Sequence, residues 1–281
     1  MKKYGSTEGT PGSLNSFAKN TAKLSPGPKR IGAPFIKLPQ VDSTNNYATA
    51  LAHAGMAEHG TAVLAEHQVA GKGQRHKAWT ATPGANITMS LLLAPAELAA
   101  APGPVRLTAD GAFRFSMAVA LGTQRFFSRY AGEETFVKWP NDLYWRDRKA
   151  GGILIENILA GDQWKWAVVG LGVNINEEAF GPAAPRAVSL RQVTGRAWDV
   201  RALALELCAS LEEAFAQLAA DPASIVADYH SVLFGRGQTV RLRKDNRVFA
   251  AQVLGVTETG CLRVRHGVEE EFAVGEVEWV F

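Results

Sequence analysis

Four stretches hold residues whose types and spacing could handle anions. "AGKGQRHKAW" (70–79) packs Gly71, Gly73, Lys72, Arg75, His76 and Lys77 ahead of Trp79 with no acidic residue. Glycines let backbone N–H groups approach a ligand, and the cations add mobile positive charge. The run is not a Walker A loop, because Lys72 is followed by Gly73 and not by Ser or Thr. A solvated loop and an anion cradle both remain open for it. "VKWPNDLYW" (137–145) carries Lys138 to a strand end, and Pro140 turns the chain to present Asn141 and Asp142. Lysine can neutralise phosphate, aspartate can hold Mg2+ and asparagine can bond a base edge. Plain turn chemistry explains the same residues. "RKAGGILIE" (148–156) sets Lys149 before two glycines and a strand, either as an anion contact or as a surface lysine. "GLGVNIN" (170–176) ends an apolar strand on Asn174.

The elements that must position these residues follow from periodicity. "STNNYATALAHAG" (43–55) predicts a helix capped by Ser43 or Thr44 and stopped at Gly55. "TAVLAEHQ" and "NITMSLLL" read as strands on either side of the glycine loop. Residues 108–130 place Phe113, Met117, Leu121 and Phe126 at helical spacing. The segment 135–159 reads as three strands punctuated by Pro-Asn-Asp and Gly-Gly, and 165–176 as another strand. Residues 199–219 form an amphipathic helix and 222–230 a shorter one. From 233 onward the texture becomes five short strand-like pieces with turns near Asp245-Asn246, Thr259-Gly260 and His266-Gly267, which argues for a small all-β barrel. The expected class is therefore α+β, a mixed sheet with helices packed on one face, followed by the small barrel.

Composition narrows the function classes. The chain of 281 residues is 47% hydrophobic and 20% charged, ordinary for a globular protein. Its net charge of +3 sits largely in residues 1–32, read as a disordered basic tail, so steering by global charge is not the theme. Cys208 and Cys261 form no C-x-x-C pair, and Cys208 lies in an apolar helical pattern, so no zinc or thiol chemistry is indicated. The cysteine usage fits a reducing cytoplasm. Lys2 and Lys3 precede no apolar run, and "ITMSLLLAPA" is too short to span a membrane. A nucleic-acid-binding module is disfavoured because the barrel end is acidic, with Glu269, Glu270, Glu271, Glu276 and Glu278.

Taken together and in order, "DSTN" (42–45), "GKGQRHKAW", "KWPND", "RKAGGILIE" and "GLGVNIN", with a β-rich end closing on "GEVEW", resemble the biotin protein ligases. The resemblance covers about residues 35–281. It implies a class II synthetase-like catalytic domain over 33–232 and an SH3-like domain over 233–281. It also implies two-step chemistry, in which biotin and MgATP give biotinyl-5′-AMP and a lysine of a biotin carboxyl carrier domain then takes the biotin. By the same resemblance Ser43, Thr44, Asn45, Gln68, Gly71, Lys72, Gly73, Gln74, Arg75, Lys149 and Gly152 bind biotin. Trp79, Asn141, Asp142 and Asn174 serve the nucleotide, Asp142 contacts Mg2+, and Lys149, Arg75 and Lys138 are catalytic. Lipoate–protein ligases share this fold and chemistry and are the alternative. Residues 1–32 are too few and too polar for a winged helix, so no operator binding is expected, and exposed strand edges offer a surface for a homodimer.

The family's loop reads roughly G-R-G-R-x-G-R-x-W. Here Lys72, Gln74, His76 and Lys77 stand where that pattern has Arg, Arg, Gly and Arg. Lysine keeps charge but loses the bidentate fork, and Gln74 loses the charge outright. Biotinyl-AMP should therefore be held more loosely than by an arginine-rich loop. Adenylate release measured by rapid dilution should be slower in Gln74→Arg than in the parent chain, and equal or faster release would refute this.

Overall fold

The computed structural model describes residues 30–99, 105–182 and 184–281. Most of the expected tail, residues 1–29, lies outside the described residues, as does the His76 side chain. Residues 30–32 belong to the body, since Ile31 is buried and the Gly32 N–H donates to the Gly60 carbonyl at 2.8 Å.

Apolar runs buried on both faces set the layout. Strand β1 (Phe35–Val41) leads through helix α1 (Thr44–His53) to β2 (Thr61–Gln68) and β3 (Ile87–Leu93). The short α2 (Pro95–Leu98) and the long α3 (Ala109–Ala131) follow. Next come β4 (Thr135–Lys138), β5 (Asp142–Trp145), β6 (Arg148–Ala160) and β7 (Gln163–Val173). The sheet order is β1-β2-β3-β7-β6-β5-β4. Only β1 and β2 pair in parallel, joined by α1 as crossover, so the sheet is mixed as expected.

The alternation of side chains along β3 and β7 divides the core. Leu91, Leu93, Ala167 and Val169 join the main cluster under α3, while Leu92 and Val168 pack against Ala48 and Ala52 of α1 on the other face. The long helices thus share one face, and α1 covers part of the opposite one. After α4 (Leu190–Thr194), α5 (Val200–Ala220) and α6 (Pro222–Ser231) complete the helical layer. Phe115 of α3 lies 4.8 Å from the Phe215 ring of α5 and 5.0 Å from the Trp164 ring of β7. Asp199 caps α5 through the N–H groups of Arg201 and Ala202. Cys208 is buried inside α5, and burial pushes its thiol up to about 12, as suits a packing residue.

The chain then runs along the outer edge of β4, where Val137 exchanges bonds with Val232 and Phe234. It enters a second, antiparallel sheet of β8 (Thr239–Lys244), β9 (Arg247–Val256), β10 (Leu262–Arg265), β11 (Glu269–Phe272) and β12 (Glu278–Val280), ordered β11-β10-β9-β8-β12. Asp245, at φ 51°, makes the tight β8–β9 turn. The buried Trp139 indole donates to the Gly260 carbonyl at 2.9 Å, and the Val256 N–H donates to His230 Nε2 at 3.1 Å. These bonds seat the second sheet beside Lys138.

The α3–α5 crossing is set by Gly122, where an added Cβ would lie 3.0 Å from Leu211 Cα and 3.1 Å from the Ser210 carbonyl oxygen. Ser210 Oγ donates to the Gly122 carbonyl at 2.9 Å, which holds the backbones close. Alanine is the better helix former by about 1 kcal/mol, but overpacking against unyielding backbone costs about 1–3 kcal/mol. Gly122→Ala should therefore lower the urea midpoint, and a raised midpoint would show that propensity wins.

Candidate functional site

Glycines flatten one patch of the sheet, and polar side chains stand on it. Gly152 of β6 pairs with Gly172 of β7, and Leu154 pairs with Gly170. A Cβ on Gly170 would strike the Asn45 amide, and one on Gly172 would strike the Trp79 indole. Close approach is thus what these strand glycines provide.

Asn45 anchors a continuous network. Its Nδ2 donates to Glu156 Oε2 at 2.6 Å, and its Oδ1 accepts from Ser90 Oγ at 2.6 Å. Ser90 Oγ also lies 2.7 Å from Thr44 Oγ1, and Thr44 donates to Gln68 Oε1 from its N–H at 2.7 Å and its hydroxyl at 2.9 Å. Both lone-pair positions of Gln68 Oε1 are thereby committed, so its NH2 group is the end it presents. Ser43 is the N-cap of α1 and is buried, yet its hydroxyl makes no cap bond.

The other end of the cleft is cationic. Register pairs Lys138 at the end of β4 with Asp142 at the start of β5. Asp142 bonds Lys149 Nζ at 2.6 Å and lies 3.7 Å from Lys138 Nζ. Two ammonium groups thus share one carboxylate. Lys138 is only 8% exposed, and burial lowers its pKa from the ordinary lysine value; Asp142 raises it in part, while Lys149 and Lys77 lower it further. The backbone of Lys149 is clamped, its N–H bonding the Arg186 carbonyl at 2.7 Å and its carbonyl the Val188 N–H at 2.9 Å. Asn174 tightens that clamp by donating to the carbonyls of Lys149 and Val188. Asn141 likewise donates to the Ile153 carbonyl at 2.5 Å.

The glycine loop folds over the cleft as a small hairpin. Trp79 N–H bonds the Gly71 carbonyl at 2.9 Å and Gly73 N–H the Lys77 carbonyl at 2.7 Å. Lys72 Nζ lies 3.7 Å from Glu156, joining the loop to the network below. Arg75, with φ 56°, turns its guanidinium to the Gly275 carbonyl at 3.2 Å and lies 4.0 Å from Glu278. The Trp79 indole nitrogen is buried without a hydrogen-bond partner.

One cleft of about 600 Å3 gathers these groups. Ser43, Thr44, Asn45, Gln68, Lys72, Gly73, Gln74, Arg75, Trp79, Lys138, Asn141, Asp142, Lys149, Gly152 and Asn174 all line it, and Gly71 adjoins it through Trp79. Sequence reasoning missed Ser90, Glu156, Tyr144 and Trp279. Ser90 is the one hydroxyl late in an apolar run, and Glu156 the one acid in its strand, which are weak signals on their own. Among the described residues no group of three or more His, Cys, Asp or Glu could hold a metal ion.

The sequence model of the biotin/lipoate A/B protein ligase family matches residues 38–174. A biotin–[acetyl-CoA-carboxylase] ligase of Mycobacterium tuberculosis is 31% identical over 204 residues, covering 72% of each chain. A bifunctional ligase/repressor BirA of Bacillus spizizenii is 28% identical over 238 residues, covering 83% of this chain and 69% of the relative. A biotin protein ligase from Aquifex aeolicus, solved in complex with biotin and ATP, superposes with a TM-score of 0.71 at 23% identity, covering 88% of this chain and 98% of that one, and shares the fold.

Asn45→Asp tests the network. It would set two carboxylates where Asn45 now donates to Glu156 at 2.6 Å, and such a pair binds a proton more tightly folded than unfolded. A raised folded pKa gives stability that is present at low pH and lost as pH rises. The drop in melting temperature relative to the parent chain should be larger at pH 8 than at pH 5, and equal drops would contradict the bond.

Proposed function

The chain belongs to the biotin/lipoate A/B protein ligase family, and from that premise we propose how its residues carry out ATP-dependent biotinylation of a protein. Biotin and ATP are its substrates. In the first step a biotin carboxylate oxygen attacks the α-phosphorus, the bond to the β-phosphate oxygen breaks, and pyrophosphate leaves with the electron pair. In the second, an acceptor lysine nitrogen attacks the carbonyl carbon of biotinyl-5′-AMP. The C–O bond breaks, AMP leaves, and the nitrogen gives up a proton.

The observation that carries the reading is the polarity of the cleft, with a floor of hydroxyl and amide groups at one end and two ammonium groups around Asp142 at the other. A neutral ureido head suits the first end. A carboxylate brought against a triphosphate suits the second, because the two anions repel and need cations between them. Ser43, Thr44, Asn45 and Gln68 would hold the head. Lys149, beside Gly152, would reach the carboxylate and the α-phosphate oxygens, where charge develops in both steps. Lys138 would neutralise phosphate, and Trp79 would pack against the adenine. Asn141 and Asn174 would act on the nucleotide side by fixing the strand ends rather than through their NH2 groups, which are bonded to backbone carbonyls. Gly71, Lys72, Gly73, Gln74 and Arg75 would form the lid, with Arg75 acting partly through Gly275 and Glu278.

Asp142 would give a magnesium ion one oxygen. That fits an ion carried in on the triphosphate, which brings its other ligands from phosphate and water, and does not fit a resident metal. Such an ion would neutralise phosphate charge. The acceptor is taken to be a carboxyl carrier domain of a biotin-dependent carboxylase. We treat 33–232 as the catalytic unit and 233–281 as the SH3-like unit, with β8–β12 all falling in the latter. Among the described residues no helix is long and apolar enough to cross a membrane. A cytoplasmic setting belongs to the same proposal, with the unpaired Cys208 and Cys261 in its support.

Labelled biotin, ATP and a purified carrier domain should give a biotinylated product, and labelled lipoate should not. Lys149→Ala should slow transfer by about 100-fold or more, the scale seen when a charge-stabilising group is removed from an active site. Equal transfer of lipoate, or an active Lys149→Ala, would overturn the reading.

A further inference from the structure

Lys138 is an ammonium with little carboxylate to offset its burial. Asp142 stands 3.7 Å away and is already bonded at 2.6 Å to Lys149. Removing an ammonium from water costs several kcal/mol unless other groups compensate. The remaining neighbours in position to do so are rings. Nζ lies 5.2 Å from the ring centroid of Tyr144, 5.4 Å from that of Trp279 and 5.8 Å from that of Phe281. Each distance is within cation–π range, and the interaction strengthens where water is excluded. Tyr144 comes from β5, whereas Trp279 and Phe281 come from the last strand of the second sheet and the residue beyond it.

The three rings are not equivalent. Phe281 is shared with Arg186, whose guanidinium carbon lies 4.4 Å from its centroid. Tyr144 stacks on Phe281 at 5.9 Å. Trp279 is the strongest π-donor of the three. It is oriented by packing, with the Phe234 ring at 5.7 Å and Gly235 close by, while its indole nitrogen is buried without a partner.

We propose that Trp279 is a positioning residue for adenylation: with Tyr144 and Phe281 it forms an aromatic cage that holds the Lys138 ammonium in place and aims it at the phosphate end of the cleft. The inference rests on the biotin-ligase reading above and goes beyond it. It gives the second sheet a part in the first chemical step, exerted through Lys138. The charged groups facing Lys138 are Asp142, which favours its ammonium form, and Lys149 and Lys77, which oppose it. Removing the ring removes a favourable partner and leaves the ammonium free to leave its aimed position.

The test uses the whole chain and biotin-dependent ATP–pyrophosphate exchange. Trp279→Leu should lower kcat about 10-fold or more while the KM for biotin stays within about twofold, as expected when charge stabilisation is lost without loss of ground-state binding. Trp279→Phe should restore most of the rate. In a Lys138→Met background, Trp279→Leu should add less than about a further twofold, because the two act as one unit. Full additivity, a change in KM alone or no rescue by Trp279→Phe would overturn the cage. A readout independent of activity is 13C NMR of reductively methylated lysines, with the Lys138 signal assigned by its loss in Lys138→Met. That signal should be displaced by ring current in the parent and move toward the ordinary methylated-lysine position in Trp279→Leu, and an unchanged position refutes the proposal even if the parent shows no exchange. Absence of biotin-dependent exchange in the parent would instead refute the ligase reading.

Discussion

One carboxylate between two ammonium groups is the constraint on which the rest of the site depends. Asp142 holds Lys149 at 2.6 Å and Lys138 at 3.7 Å, leaving a net positive charge at that end of the cleft. Without Asp142 the two lysines would repel in a place where Lys138 has little water to screen it. The β4–β5 hairpin must set Lys138 opposite Asp142, and β6 must return Lys149 to the same spot. A slip of one residue in either pairing would send Asp142 to the other face of the sheet. The irregularity between Leu143 and Tyr144, the backbone clamp on Lys149 from residues 186–188, and the Asn174 amide all act against such a slip.

The opposite end of the cleft works by matching rather than by charge. Thr44, Asn45, Gln68, Ser90 and Glu156 bond one another in a chain, so each amide has its orientation decided by its neighbour. Buried polar networks are stable when their members are satisfied and rigid as a result. Gly170 and Gly172 clear the space above the sheet for Asn45 and Trp79, so a flat floor and an upright polar group are one design. A ligand with a neutral head and an anionic tail is complementary to both ends at once.

Much of this was legible in the sequence, and the exceptions share a cause. Long periodic segments such as 109–131 and 200–220 declare themselves, and the chemistry-bearing residues stand at strand ends beside Gly or Pro. Strand β1 was missed because "FIKLPQV" carries Pro39 and the polar Lys37 and Gln40, which an edge strand paired on one side tolerates. Ser90, Glu156 and Trp279 gain meaning only from partners far along the chain: Glu156 meets Asn45 across 111 positions, and Trp279 reaches Lys138 from another sheet. Asn141 and Asn174 show the converse, since a polar type at a strand mouth suggests a ligand contact, yet both amides bond backbone carbonyls.

The glycine loop is held over the cleft by little. Arg75 adopts a left-handed conformation, which costs a non-glycine residue about 1–3 kcal/mol. Against that stand its bond to the Gly275 carbonyl and its distant pairing with Glu278, while Lys72 pairs with Glu156 at 3.7 Å. Both ion pairs are exposed, and such pairs contribute about 0–1 kcal/mol each. The bonds inside the hairpin, such as Gly73 to Lys77, persist whether or not the hairpin is seated and so do not favour closure. Strain and latch are therefore of similar size, and a ligand that touches the lid can decide the balance by its own contacts. Because the latch is on Gly275, in the turn before β12, and on Glu278, beside Trp279 in β12, seating of the loop and caging of Lys138 draw on one segment of the second sheet. A disturbance of that segment reaches both the loop and Lys138, although it lies beyond the sheet that carries Lys138 and Lys149.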